Sequence, residues 1–343
     1  MTQAHAPPAT AAPLAGLRAW VLTDGKAGDE LQCLGLAERL GLSVECRHVA
    51  PRWPFTWLTS LALLDPRHRP ERPDSPLAPP FPPVVIASGR RTVPYLAAIR
   101  RAAPATFTIY LKDPRTGPRT AHLIWTPAHD RLSGPNVVRT ELSIHRITPA
   151  KLAAARAAPH PTLDALPRPR VAVLVGGPSR RQAFTAADEA RFLACLTALA
   201  RPATGPRPGL MVTLSRRTPP TLAGGIRALV QAEGGFVWDG AGDNPFLALL
   251  AKADALVITA DSANMISEAA ATGTGLYLFR PAAQPARHTR FVEAVMARGI
   301  ARPFTGSAEP FTYPAEDPTP AVAEAVAEAY ARHAGQHHLK EPP

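Results

Sequence analysis

Phosphate groups are held where backbone N–H donors crowd together and a helix N-terminus adds its positive dipole, and a glycine loop running into a helix supplies both. Two segments of this 343-residue chain have that form. Asp24-Gly25-Lys26-Ala27-Gly28 follows the apolar run at 18–22, and Gly176-Gly177-Pro178-Ser179 follows the run at 170–175. Glycine allows backbone to approach a ligand that a Cβ would keep away. Neither segment matches the dinucleotide fingerprint or the P-loop, and glycine also serves ordinary tight turns. Their parallel placement in two halves is more telling, because ligands of open α/β sheets lie beyond the carboxyl ends of strands.

Other polar groups follow strands in the same way. Ser215-Arg216-Arg217-Thr218 ends the run at 209–214. Its arginines offer bidentate contacts to phosphate oxygens, or else form a solvated basic turn. In residues 259–273 a buried strand turns into a helix of small side chains. Asp261 and Ser262 there either cap the helix or face a ligand. Glu268, set among alanines, is placed to accept hydrogen bonds from two vicinal hydroxyls such as those of a ribose; the alternative is an exposed helix glutamate. His129-Asp130 reads as a base tuned by an acid or as a loop-capping pair. Lys112-Asp113 has the same two readings, with Lys112 lining a cleft.

These residues need a frame, and short apolar runs alternating with helical stretches imply parallel α/β units. Strands are expected at 18–22, 43–49, 83–87, 106–111 and 122–125 in the first half, and at 170–175, 209–214, 236–238, 255–259 and 275–279 in the second. Helices are expected at 30–40, 92–102, from 185 (where Thr185 and Asp188 have capping-box spacing), from 219, at 244–252, from 261–262, at 289–298 and at 321–332. The domain boundaries that follow are a tail at 1–17, a first domain at 18–160, a linker at 161–169, a second domain at 170–310, a C-terminal helix within 311–334 packed near the linker, and a tail at 335–343. The weakly patterned Ala/Pro stretch from 153 leads into the linker. Pro-rich 66–82 reads as loop. Trp53 and Trp57, flanked by arginines, belong either to a helix packed on the sheet, with both rings in the core, or to a membrane-interface segment. His333, His337 and His338 read as exposed in a frayed tail.

Hydrophobic residues make up 46% and charged residues 19%, enough for a real core. No apolar run approaches the roughly 20 residues of a membrane span, and the N-terminus lacks signal-peptide features. Three cysteines, Cys33, Cys46 and Cys195, lack metal-site spacing and read as ordinary buried thiols in a reducing cytoplasm. No metal site is expected. The net charge of +11 attracts nucleic acid, anionic lipid or phosphorylated substrates. No RNA-binding signature or zinc finger accompanies it, so no nucleic-acid partner is expected.

Several motifs in order resemble the mitochondrial-fission "elongated mitochondria" protein family. They are Thr23-Asp24-Gly25-Lys26-Ala27-Gly28, Ala87-Ser88-Gly89-Arg90-Arg91-Thr92-Val93-Pro94, Lys112-Asp113-Pro114-Arg115, Pro127-Ala128-His129-Asp130, Gly134-Pro135-Asn136-Val137, Ser215-Arg216-Arg217-Thr218-Pro219, Asp239-Gly240, Gly242-Asp243-Asn244-Pro245 and the 261–273 segment. The family is named for a plant phenotype, and its bacterial members are described as candidate glycosyltransferases. It is similar to GT-B glycosyltransferases, which implies an α/β chain of two Rossmann-like domains with parallel sheets facing a central cleft. The resemblance implies a nucleotide-diphosphate sugar as donor substrate, no cofactor, and a saccharide or lipid-linked acceptor of the cell envelope. It implies phosphate binding by Gly176, Gly177 and Ser179, with Ser215, Arg216, Arg217, Asp261 and Ser262 beside them, and ribose binding by Glu268. The acceptor side would carry Gly25, Lys26, Gly28, Arg90 and Lys112. Asp24 or Asp29 would be the base, with His129 as a further candidate. No Asp-x-Asp pair is present, which fits transfer without a metal. A nucleotide-sugar epimerase, or a membrane-associated binding protein without catalysis, are the other readings. The expected location is cytoplasmic, including the surface of an anionic inner membrane.

Overall fold

The structure, a computed structural model, describes residues 14–57, 62–179, 182–238 and 240–338. The chain forms two compact units. The first holds the chain up to Thr140, Ile144–Arg146 and the segment from Pro318; the second holds Glu141–Ser143 and Ile147–Asp317.

In the first unit the order is β1 (Arg18–Thr23), α1 (Ala27–Arg39), β2 (Ser43–His48), β3 (Val84–Ser88), α2 (Val93–Ala102), β4 (Phe107–Leu111), β5 (Leu123–Pro127) and β6 (Val137–Thr140). The sheet runs β2-β1-β3-β4-β5-β6, and every pairing is parallel. Unbroken apolar strands are what a sheet covered on both faces requires. Thus Val84 and Ile86 join a core with Leu36 and Trp125, while Val85 and Ala87 join the opposite core with Leu96 and Tyr110. The edge strand β2 is largely exposed.

The second unit begins with α3 (Pro149–Ala157) and α4 (Pro161–Asp164). Then come β7 (Arg170–Val175), α5 (Ala186–Ala200), β8 (Gly209–Leu214), α6 (Pro220–Ala232), β9 (Phe236–Trp238), α7 (Phe246–Lys252), β10 (Ala255–Thr259), α8 (Ala263–Ala270), β11 (Leu276–Phe279), α9 (Ala286–Ala297) and β12 (Ala301–Pro303). The sheet order is β12-β11-β10-β7-β8-β9, again all parallel. Counted within the unit, that is the doubly wound Rossmann order, whose direction reverses between its first and fourth strands, here β7 and β10. The first unit reverses between β1 and β3. Thr185 and Asp188 form the expected capping box on α5.

The final helix, α10 (Thr319–His338), belongs to the first unit. Val322, Ala323, Val326 and Ala327 bury against the core of Leu36, Phe107 and Leu123. It therefore covers the first sheet rather than the expected linker, and it starts two residues earlier and ends six residues later than the expected 321–332. His333 is a correction to the frayed-tail reading: it is buried, its Nε2–H donates to the Ala105 carbonyl at 3.0 Å, and its ring lies 4.3 Å from that of His122. An alternating Ala/charged pattern disguised how much of this helix is core.

Other expectations also change. The chain passes between units at 140–147, ahead of 161–169, whose residues include α4. The 153–169 stretch holds α3 and α4, helices with too few large apolar residues to read by period. Leu14, placed in a disordered tail, is fully buried, and Gly16 N–H donates to the Gly41 carbonyl at 2.8 Å; residues 1–13 lie outside the described residues. Trp53 and Trp57 are 79% and 81% exposed in a run of turns, not core residues of a helix. Leu58, Arg180, Arg181 and Asp239 lie outside the described residues. Of the three thiols, Cys33 is buried, but Cys46 is exposed on the edge strand and Cys195 partly so. Among the described residues, no helix is long and apolar enough to cross a membrane.

Candidate functional site

The order of the second sheet reverses between β7 and β10, and the candidate residues of this unit gather at the carboxyl ends of its strands. Gly176 and Gly177 leave β7, Ser215, Arg216 and Arg217 leave the neighbouring β8, and Asp261 and Ser262 leave β10. The glycines are sterically required. A Cβ on Gly176 would stand 2.1 Å from Asp261 Oδ1, and one on Gly177 would stand 2.0 Å from the Arg217 carbonyl oxygen.

The donors of this cradle already have partners. Gly176 N–H donates to Thr259 Oγ1 at 2.7 Å and Gly177 N–H to Asp261 Oδ2 at 3.1 Å. Arg217 Nη2 donates to the same Asp261 oxygen at 2.8 Å, and its Nη1 donates to the Gly177 and Pro178 carbonyls. The Asp261 side chain is 0% exposed, and Thr259 Oγ1–H donates to its Oδ1 at 2.7 Å. An internal carboxylate thus stands among the donors where sequence reasoning put a phosphate. Ser262 fills its capping role, accepting from Met265 N–H at 3.4 Å. Ser215 closes its own turn through Thr218 and Arg217 N–H. Ser179 pairs with Gln182. Arg216 is exposed and carries no hydrogen bond or ion pair among the described residues.

Glu268 lies on α8, the helix that Asp261 and Ser262 lead into. It is half-buried, and no hydrogen bond or ion pair with described residues holds its carboxylate. Burial pushes its pKa up from 4.5 to about 7. A carboxylate in that condition has unused acceptor capacity, whereas Asp261 is engaged by Gly177, Arg217 and Thr259.

Three residues that converge on the Ala260 carbonyl, just past the end of β10, were missed from sequence. Gln182 Nε2, Gln284 Nε2 and His288 Nε2 all donate to the Ala260 carbonyl, at 3.4, 2.5 and 2.7 Å. Burial lowers the pKa of His288, and the Ala260 carbonyl, which can only accept, fixes a proton on Nε2. Gln284 Oε1 is buried without a partner. The available signal was position: Gln284 and His288 lie between β11 and the first turn of α9, another strand-to-helix connection of this edge.

The first sheet reverses between β1 and β3, and there Asp24 meets Gly89. A Cβ on Gly89, whose φ is +91°, would stand 2.9 Å from Asp24 Oδ1. Asp24 pairs with the largely exposed Lys26 at 2.6 Å, and its Oδ1 is buried without a partner. Asp29, in the first turn of α1, is buried and paired with Lys112, which leaves β4 with φ +79°. Gly25 has φ +80° in an open turn, and Gly28 enters α1. Arg90 is exposed after Gly89. Asp130 accepts from Thr126 Oγ1 at 3.0 Å, so this carboxylate closes its own loop, as the capping alternative had it; His129 is half-buried beside it. Among the described residues, no group of three or more His, Cys, Asp or Glu is arranged to hold a metal ion.

The fold is similar to that of two solved enzymes. One is UDP-GlcNAc 2-epimerase from Neisseria meningitidis bound to UDP-GlcNAc, with TM-score 0.52 and 10% identity, covering 94% of this chain and 93% of that one. The other is the glycosyltransferase SnogD from Streptomyces nogalater, with TM-score 0.50 and 15% identity, covering 96% of each. Both fit two Rossmann-like units of the GT-B kind. In sequence, the chain is 31% identical over 263 residues to the Mitochondrial fission protein ELM1 of Arabidopsis thaliana, a match spanning 68% of this chain and 60% of that protein. Residues 27–330 match the family described as Mitochondrial fission ELM1, and the chain belongs to that family.

Proposed function

We propose that the chain is a metal-independent glycosyltransferase that takes a sugar from a nucleotide-diphosphate donor. The observation that carries this reading is Glu268: a half-buried carboxylate without a partner among the described residues, on the helix leaving the reversal point of the second sheet. Desolvating a carboxylate costs free energy that only a bound partner offsets, and two vicinal ribose hydroxyls supply two hydrogen bonds to it. Arg216, free of partners among the described residues, takes the diphosphate, and the N-terminus of α8 adds its dipole as the leaving group gains charge. Gln284, after β11, keeps a buried oxygen with unused acceptor capacity for a donor sugar hydroxyl to fill. The neighbour bound to UDP-GlcNAc supports a nucleotide sugar as the ligand class.

In the first unit Asp24 is the better base than Asp29. Asp29 is neutralised by Lys112, whereas the partner of Asp24 is an exposed lysine that an incoming acceptor can displace. Removal of the acceptor proton by Asp24 lets its oxygen attack the anomeric carbon while the nucleoside diphosphate departs. The acceptor is a saccharide or a lipid-linked saccharide.

The test is nucleotide release from UDP-, GDP-, ADP- and CMP-sugars, with and without an envelope-type acceptor. Acceptor-dependent release that Asp24→Asn abolishes is expected. Interconversion of the donor sugar without acceptor would identify an epimerase instead, and donors untouched under both conditions would leave the enzyme reading without support.

A further inference from the structure

The largest exposed apolar groups among the described residues lie together in sequence: Trp53 at 79%, Trp57 at 81% and Leu63 at 46% exposed. They occupy a loop that leaves β2 at the edge where Asp24 leaves β1, since Val49 N–H donates to the Thr23 carbonyl at 2.9 Å. The base of the loop is firmly built. Asp65 is 2% exposed and accepts from Arg52 N–H at 3.1 Å, from Arg67 N–H at 3.1 Å, and from the Arg67 guanidinium at 3.2 and 2.7 Å. Burial alone would raise the Asp65 carboxyl, but these bonds hold it down at about 2, so the staple is charged at any ordinary pH. Three residues on, His68 Nδ1 and Tyr95 Oη lie 2.5 Å apart.

A pinned base with two indole rings in water is costly unless something covers them. Trp is the side chain best suited to the boundary between water and acyl chains, with an apolar body and one N–H for the headgroup layer. The flanking charge selects the kind of surface. Arg52, Arg69 and Arg72 are exposed and carry no ion pair among the described residues, and they outnumber the exposed acids of the same segment, Glu71 and Asp74, in a chain of net charge +11. A cationic excess in a segment with exposed indoles complements anionic headgroups.

We propose that this loop docks the protein on an anionic lipid bilayer, with Trp53 and Trp57 inserted at the interface and Arg52, Arg69 and Arg72 on the headgroups. This does not rest on the nucleotide-sugar reading and is tested without nucleotide. Of the five tryptophans, Trp20 and Trp125 are buried and Trp238 is half-buried, so the part of an emission change that the Trp53 and Trp57 substitutions remove reports on the loop.

The experiment mixes the full-length chain with phosphatidylcholine vesicles, with or without about one-third phosphatidylglycerol, and follows co-sedimentation and tryptophan emission. Binding to the anionic vesicles alone is expected, with a blue shift, quenching by brominated lipid, and weakening as salt rises. Trp53→Ala with Trp57→Ala should lower partitioning by about tenfold or more. These side chains are exposed, so the thermal midpoint should stay put. Arg52→Ala with Arg69→Ala and Arg72→Ala should remove the preference for anionic lipid. No vesicle binding, or equal binding by the double tryptophan variant, overturns the proposal. So does a concentration-dependent dimer that the tryptophan substitutions abolish while vesicles are ignored, which would make the loop a contact between copies.

Discussion

Replacing Glu268 by Gln should make the empty protein more stable and the ligand weaker, in a way that depends on pH. Burial raises the folded pKa of Glu268 from 4.5 to about 7. For an acid raised on folding, the unfolded chain ionises first, so stability is lost as pH climbs from 4.5 and the loss levels off above 7. Two and a half pH units correspond to about 3 kcal/mol, which partial exposure reduces to about 2 kcal/mol. Gln cannot ionise and avoids that cost. At pH 8 Glu268→Gln should therefore raise the thermal midpoint of its unit by about 4–8 °C. At pH 5 the gain should shrink to under about 1 kcal/mol, because the folded group is then still protonated and the pH lies only about half a unit above the unfolded pKa. Gln also offers one acceptor oxygen in place of two, so nucleotide binding at pH 8 should weaken by about 1–3 kcal/mol. Calorimetric melting at both pH values, with and without nucleotide, separates the two effects. A variant no more stable than wild type at pH 8 would show that the carboxylate is not desolvated; a stabilised variant with unchanged nucleotide affinity would refute the ribose role.

Asp261→Asn removes the negative charge that stands among the Gly177 and Arg217 donors. It should cost about 1–3 kcal/mol in urea unfolding while tightening the binding of a free nucleoside diphosphate, seen as a lower Kd by titration calorimetry. Gly177→Ala should destabilise more than Gly176→Ala, by about 1–3 kcal/mol against a smaller loss, because its Cβ would meet the Arg217 backbone rather than a side chain; parallel urea melts check the order. Lys112→Met leaves Asp29 buried and unpaired, and should cost about 1–3 kcal/mol, discounted for the partial exposure of the lysine. Truncation before Thr319 uncovers Val322, Ala323, Val326 and Ala327, and should bring on binding of a hydrophobic dye by the first unit.

The strand-rich frame was legible because covered parallel strands are unbroken apolar runs. β7, β8, β9 and β10 begin and end where the sequence put them. β6 and β12 were missed since short edge strands carry little apolar signal. The candidate residues after β7, β8 and β10 come to one sheet edge because strand ends in a parallel sheet share a side, and that follows from sequence order alone. What a linear reading cannot give is the strand order. That order puts Asp261 beside Gly177 and Asp24 beside Gly89, and only then is it apparent that Asp261 already consumes the donors of the glycine loop. Gln284 and His288 bear no motif, and only the shared Ala260 carbonyl reveals them. Trp53 and Trp57 read either as core of a packed helix or as interface residues, and the Arg52–Asp65 contact at the base of their loop joins residues 13 apart with no local signal.

The central claim is that the edge of the second sheet around Glu268 and Arg216 binds a nucleotide-diphosphate sugar. Titration calorimetry of the full-length chain with UDP-, GDP-, ADP- and CMP-sugars tests it most directly. At least one should bind with saturable heat at pH 8 and lose about tenfold or more in affinity in both Glu268→Ala and Arg216→Ala. Binding by none of the four, or binding indifferent to both substitutions, would contradict it.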